Sequence, residues 1–488
     1  MAKGEYVSIW AGFDAQRPAS PQQKRRTFRW VVDAVLPLTL ITVAGVAVLL
    51  PETLPAQARL ALFAFAIAVI LWSTTKLNAA YVALAVMLLL VLTGGSPQEA
   101  LFNALASDVV WLMIGAFVLG GAVQQAGLAA RMTHLIASRA HTVRGVFWLV
   151  TTGLIPLSLF IPSTSGRAAV ALPIFRGIVD AADDRRVTRA LALLMPTVIL
   201  VATITTLIGA GSHLIANDLL QQIAGTRISF LQWIMYGMPF GIAASYAACW
   251  VITRMFLDQE SLNRKLELPR RQRTPFARQE WTTLIVVGVM MAFWVSESLH
   301  GLEIATVTVA GALVLTLPGA GVLSWKDGLK TVSWNLVIFV GAALVLGRAL
   351  IESGAAQWII NGLLALTGIG QGESRIVILL ALSFVSLTSH LYMTSHTARA
   401  AALVPPLLYL ATSSGLNPIA MMFISTLGMD YCLTLPVSSK ALLMFQEQDG
   451  DTYQPPDLLR LSAVLLLVHV VLILVFYYGY WRWIGLGL

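Results

Sequence analysis

Apolar residues in this chain come in long runs rather than in narrow stripes. Residues 31–50, 60–72 and 461–478 are almost free of charge. A helix that crosses hydrocarbon needs roughly 20 such residues, so run length predicts membrane-spanning helices. After a first span at 31–50, further spans are expected near 58–75, 79–94, 109–128, 188–222 and 228–255. A second set follows near 281–298, 303–317, 333–353, 417–446 and 459–486. The fold class predicted is an all-α polytopic membrane protein with about eleven transmembrane helices.

The longest polar interruption, 257–280, carries Pro269 and Pro275 and divides the chain into halves that repeat each other. Trp72-Ser-Thr-Thr-Lys-Leu77 lines up with Trp294-Val-Ser-Glu-Ser-Leu299. Gly120 and Gly127 line up with Gly347 and Gly354. Ser163-Thr-Ser-Gly-Arg167 lines up with Ser395-His-Thr-Ala-Arg399, with Pro173 and Pro405 following at one distance. The offset stays between 222 and 232 residues, so the matches are collinear. Such self-similarity marks an internal repeat. The organisation read from it is a basic cytoplasmic N-terminus (1–29), a first helix and its connection (30–56), repeat one (57–256), a cytoplasmic linker (257–280) and repeat two (281–488). Each repeat has an odd number of crossings, which makes the two inverted in the membrane, the usual frame of secondary transporters.

Two stretches, 144–182 and 373–412, are apolar legs around small polar clusters, Ser163-Thr164-Ser165-Gly166 and Thr394-Ser395-His396-Thr397. They read as re-entrant hairpins entering from opposite faces, since polar backbone at membrane depth is tolerated only inside protein or against water. The spans near 188–222 and 417–446 are interrupted too. The first holds Gly209, Ser212 and His213; the second holds Pro436, Ser438, Ser439 and Lys440. Gly and Pro break a helix, and a half-helix N-terminus offers free N–H groups and a positive dipole end. That is an anion site. Broken spans at matching places in two halves point to a transport site.

Arg167 and Arg399 lie four residues after their serines. A guanidinium in a membrane segment is a functional candidate by default, and its planar fork matches a carboxylate. The candidate substrate residues are therefore Ser163, Thr164, Ser165, Arg167, Ser395, His396, Thr397 and Arg399. Arg348 and Glu352, four apart on one helix, are expected to pair with each other.

Composition agrees with a membrane protein: 57% hydrophobic and 11% charged, with mean hydropathy +0.78, against about 25% charged in soluble domains. The net charge of +8 is gathered beside spans, at Lys24, Arg25, Arg26 and Arg29 and at Arg264, Lys265, Arg270, Arg271, Arg273 and Arg278. The positive-inside rule places both clusters, and with them the N-terminus, on the cytoplasmic face. Contact with membrane lipid follows; binding to nucleic acid does not. The two cysteines, Cys249 and Cys432, form no framework. The chain lacks His-Glu-x-x-His, a Gly-x-Ser-x-Gly elbow and a nucleotide-binding loop, which argues against an enzyme and against an ATP-driven pump. No metal site is expected; His213, His390 and His396 are the residues from which one would have to be built.

From about residue 30 onward the chain resembles the divalent anion:sodium symporter family, in its citrate-transporter-like, dicarboxylate-translocator branch. The resemblance rests on Pro162-Ser-Thr-Ser-Gly-Arg-Ala-Ala-Val-Ala-Leu-Pro-Ile174, Ser395-His-Thr-Ala-Arg-Ala-Ala-Ala-Leu-Val-Pro405, Trp334-Asn-Leu-Val-Ile-Phe-Val-Gly-Ala-Ala343 and Leu435-Pro-Val437. It implies a homodimer in which a scaffold domain holds a mobile, elevator-like transport domain carrying dicarboxylates, citrate or sulfate at the cell membrane. Sodium-coupled members carry Asn in both tips, where Thr164 and His396 stand here. The resemblance thus implies a small organic anion as substrate, exchanged without sodium. Sodium- or proton-coupled symport is the alternative, with His213 and His396 as proton carriers.

Overall fold

The computed structural model describes residues 21–49, 54–128, 131, 139–266, 275–355, 358, 374–448 and 452–488. The two hairpins fall within these, apart from residue 373 at the start of the second. The linker's Arg270, Arg271 and Arg273 lie outside them.

The first half contains α1 (Pro21–Leu49), α2 (Ala56–Thr74), α3 (Ala79–Leu92) and α4 (Asp108–Gln125). A hairpin of α5 (Val143–Leu154) and α6 (Thr164–Ala182) follows, then a broken helix, α7 (Arg185–Val201) and α8 (Gly211–Ala224), and finally α9 (Phe230–Phe256). The second half runs α10 (Arg278–Val295), α11 (Ile304–Leu315) and α12 (Trp334–Glu352). Next come a hairpin of α13 (Arg375–Thr388) and α14 (His396–Ser413), a broken helix of α15 (Pro418–Met429) and α16 (Lys440–Gln446), and α17 (Pro455–Gly479). A helix, a polar turn, a second helix and then a broken helix come in the same order in both halves, over the stretches singled out above. Among the described residues seven helices are long and apolar enough to cross a membrane, and five shorter apolar ones accompany them.

The helices pack as two groups. One is α1–α4 with α10–α12; the other is α5–α9 with α13–α17, and α8 and α14 lean on α12 between them. The pillar of the second group is α7, whose span is 94% buried within the protein. In lipid, where burial of apolar surface does not drive association, close packing through small residues does. Gly347 is one such place. A Cβ there would stand 2.7 Å from the Leu219 Cδ2, so α8 lies tight on α12.

The breaks have local causes. After α7 the chain makes two 3₁₀ turns, with Thr206 and Ala210 extended between and after them. Gly209 is required: a Cβ would meet the Thr203 carbonyl oxygen at 2.2 Å. After α15 the chain stays irregular until a single 3₁₀ turn, Pro436–Ser438.

The start of the linker is stitched to the first hairpin. Thr142 and Lys265 form an antiparallel bridge. Val143 N–H donates to the Arg264 carbonyl at 3.1 Å and Leu266 N–H to the His141 carbonyl at 3.1 Å. Arg186 pairs with Asp258, and Arg264 with Asp184 at 3.2 Å. In this exposed corner Asp258 accepts the Ser261 N–H, which holds its carboxyl below the usual carboxylate range.

Candidate functional site

Four helix beginnings converge. Ser163 caps α6 by accepting the Gly166 N–H at 3.2 Å, and Ser395 caps α14 by accepting the Ala398 N–H at 3.3 Å. Ala210 precedes α8 with no side-chain cap, and Ser439 caps α16 through the Ala441 N–H at 3.2 Å. All four ends line one cavity of about 590 Å³ between the two helix groups. That volume suits a small ligand.

Most of the residues expected from the sequence are there. Ser163, Thr164 and Ser165 line the cavity from the first tip; Ser395, His396 and Thr397 line it from the second; Ser212, Ser438, Ser439 and Lys440 line it from the breaks. The other helix group supplies Lys76, Asn78, Ser333 and Asn335, which the sequence did not single out. Asn78 caps α3 with its carboxamide oxygen, at 2.9 Å from the Ala80 N–H, leaving its amino group to donate elsewhere. Two lysines and no carboxylate stand among the lining residues.

Arg167, Arg399, Gly209, His213 and Pro436 do not line it. Both arginines are fully buried behind the wall. One guanidinium nitrogen of Arg167 donates to Thr203 Oγ1 and to the Gly209 carbonyl, each at 3.0 Å. Arg399 donates from Nε to the Ser395 carbonyl at 3.4 Å and from Nη2 to Cys432 Sγ at 2.7 Å. Nε and Nη1 of Arg167 and Nη1 of Arg399 have no protein partner. The arginines hold the backbone at the break and at the tip, and their charge reaches the cavity as a field.

Asp430 is the residue that sequence reasoning missed. It follows α15 and is 3% exposed. It accepts the Ser212 hydroxyl at 3.0 Å and touches His213 Nε2 at 2.5 Å and His396 Nδ1 at 3.3 Å. A lone carboxylate in an apolar span is itself a signal, and Asp430 carried it. The chemistry of the His213 contact is fixed by its other side. Nδ1 lies 3.1 Å from the Thr206 carbonyl, which only accepts, so Nδ1 carries hydrogen. A proton must then also lie between Nε2 and Asp430. Whichever of the two holds it, the pair is neutral overall.

His390 is occupied elsewhere, with Nδ1 2.8 Å from the Leu387 carbonyl and Nε2 2.6 Å from Thr434 Oγ1. Among the described residues no group of three or more His, Cys, Asp or Glu stands ready to hold a metal ion. The expected Arg348–Glu352 pair does not form. Both side chains instead face a cavity of about 360 Å³ with Asp108 and Asp218. A neighbouring cavity of about 490 Å³ shares Asp108 and Asp218 with it. The first cavity meets α8 at Gly211 and Ser212, and the other two share Asp218 and Gln221, roughly 10–15 Å further along that helix.

Comparison with known proteins agrees with this architecture. The structure of the Alcanivorax borkumensis YdaH transporter superposes with a TM-score of 0.54 at 15% identity, covering 89% of this chain and all of that one. A citrate/succinate antiporter of Escherichia coli is 23% identical over 394 residues, 76% of this chain and 77% of the relative. A sodium-dependent dicarboxylate transporter, SdcS, of Staphylococcus saprophyticus is 23% identical over 403 residues, 75% of this chain and 76% of the relative. Residues 32–487 match the model of the sodium:sulfate symporter transmembrane region. That match spans nearly the whole chain, so the protein belongs to this family, the divalent anion:sodium symporters, and is a multi-pass integral membrane transporter rather than an enzyme.

Proposed function

We propose that the protein exchanges small di- or tricarboxylates across the cell membrane without sodium. The observation that carries this reading is the convergence of four helix N-termini, two lysines and no carboxylate on one cavity. Helix N-termini and lysines favour an anion, and several cationic groups around one space suit a ligand with more than one carboxylate.

Sodium prefers oxygen ligands, as hard cations do. At the first break and at the second tip an arginine already holds a backbone oxygen. Arg167 holds the Gly209 carbonyl and Arg399 holds the Ser395 carbonyl. Two fixed positive charges stand where a symporter would recruit cations. Asp430 does not cancel them, because its proton-sharing partner His213 already neutralises it. A bound dicarboxylate therefore offsets two of the three positive charges that Arg167, Arg399 and Lys440 bring to the site, while an empty site keeps all three and crosses hydrocarbon at higher cost. That asymmetry favours exchange over net uptake.

The group of α5–α9 and α13–α17 is the mobile body in this reading, riding on α12 as an elevator within a homodimer. The cavity at the start of α8 and the two that share Asp218 and Gln221 are the vestibules on opposite faces of the membrane in this reading. Reconstitution into liposomes tests the function. Labelled succinate, citrate and sulfate are offered with sodium replaced by choline, with and without internal counter-substrate. Succinate or citrate uptake should need the internal anion and not sodium. Strong sodium-dependent uptake into empty vesicles would overturn the exchange reading.

A further inference from the structure

We propose that His396 is a proton-binding site that fills when the anion binds, so that a proton travels with each anion. The proposal rests on the transport reading above and names a second ligand for the same site.

His396 stands between two environments. One side lines the anion cavity, and Nδ1 reaches Asp430 Oδ1 at 3.3 Å on the other. Behind Asp430 the chain of contacts ends at His213, 2.5 Å away, with Ser212 donating to the same carboxylate at 3.0 Å. Because the Thr206 carbonyl fixes hydrogen on His213 Nδ1, the His213–Asp430 pair already holds its proton and is neutral as a unit. It has no net charge with which to attract a second one.

The other groups facing His396 are mostly cationic. Arg399 shares its helix and bonds Cys432, whose Sγ lies 3.6 Å from His396 Nε2. Arg167, from α6, interacts electrostatically with Asp430. Lys440 and Lys76 line the cavity. His390, on the turn before the tip, is committed to the Leu387 carbonyl and to Thr434. In the empty site these cations weigh against a protonated His396, while the Asp430 oxygen and the Cys432 sulfur beside the ring weigh for one. A bound dicarboxylate tips that balance toward the proton, because it puts two negative charges beside the ring. Imidazole titrates near neutral pH, so a change of field of this kind decides its protonation.

By linkage, an anion that draws a proton is held more tightly at low pH. Its affinity falls by at most tenfold per pH unit as pH rises through the range where the proton is taken up. Binding enthalpy provides the test. Purified full-length protein is titrated with succinate at about pH 7.5, where carboxylates are fully ionised, in two buffers of different ionisation enthalpy. Wild type should show a buffer-dependent enthalpy corresponding to roughly one proton taken up per anion. His396→Gln should bind more weakly with no buffer dependence, and His390→Gln should keep the wild-type response. A wild-type enthalpy that is the same in both buffers overturns the proposal, as does buffer dependence that survives in His396→Gln. Either result leaves the transport reading standing. A protein that binds none of succinate, citrate or sulfate overturns both.

Discussion

His213 Nε2 and Asp430 Oδ2 lie 2.5 Å apart and join the two halves of the chain, α8 from the first and the break after α15 from the second. Both side chains are buried, at 0% and 4% side-chain exposure. Removing one member of a buried pair costs about 3–5 kcal/mol, since the partner is left uncompensated. Asp430→Ala should therefore be destabilised on that scale in detergent. Asp430→Asn keeps an oxygen for Ser212 and gains an amide that donates to the bare Nε2 of neutral His213. Its loss should be much smaller. Thermal or denaturant unfolding of both variants checks this, and equal losses would refute the pairing scheme.

The hairpin tips make a second prediction. Ser163 and Ser395 each cap a helix and line the cavity. Alanine removes a cap worth about 1 kcal/mol and a hydroxyl whose bond to a charged ligand is worth about 1.5–3 kcal/mol. Substrate affinity should fall on the order of tenfold to a hundredfold in each single variant, with the fold retained. Unchanged apparent affinity in both single variants and the double variant would exclude these hydroxyls from the site.

Much of this fold is legible in the sequence because membrane helices announce themselves by run length. The expected polar tips fall between α5 and α6 and between α13 and α14, and the expected breaks between α7 and α8 and between α15 and α16, since Gly209, Pro436 and clustered hydroxyls have strong local effects on backbone. The site was legible wherever its residues sit at helix starts. It was not legible where contact depends on packing between distant helices. Asp430 meets His213 across 217 positions and His396 across 34, and neither separation has a local signature. Lys76 and Asn78 belong to a loop between α2 and α3, which reaches the cavity only because α2 and α3 pack on α12. Arg167 and Arg399 were found by sequence, but their direction was not. A motif gives the position of a long side chain, and its neighbours decide whether it faces the ligand or the backbone behind it.

Labelling separates the two vestibules. Ser165 and Thr397 come from different tips yet line the same cavity, whereas Gln221 lines the other two. In a background with Cys249 and Cys432 replaced, cysteines at Ser165 and at Thr397 should react from one side of the membrane in this conformation. A cysteine at Gln221 should react from the other. Labelling of all three from one side would remove the barrier between the cavities.

The close seat of α8 on α12 predicts a rate effect. At Gly347 a Cβ would crowd Leu219. Overpacking of this kind costs roughly 1–3 kcal/mol, and here it falls on the surface along which the mobile group would slide. Gly347→Val should slow exchange while substrate affinity stays near wild type. A loss of affinity at wild-type rate would place Gly347 at the binding site instead.

Fixed charge makes the sharpest prediction about coupling. Lys440 lines the cavity, while Arg167 and Arg399 act from behind it, so the three should fail differently. Lys440→Gln should weaken substrate binding, and the difference from wild type should shrink at high salt, because exposed charges are screened over about 10 Å. Arg399→Gln keeps a donor near the Ser395 carbonyl and removes one buried charge. With less charge left uncompensated, the empty carrier should cross more readily. Uptake into vesicles without internal substrate should then rise relative to exchange, and Arg167→Gln combined with Arg399→Gln should raise it further. Both arginines also brace backbone, so each variant is compared by the ratio of empty-vesicle uptake to exchange, which cancels any loss of folded protein. If that ratio stays at the wild-type value in the double variant, buried positive charge is not what forbids the empty carrier from crossing, even if exchange itself is confirmed.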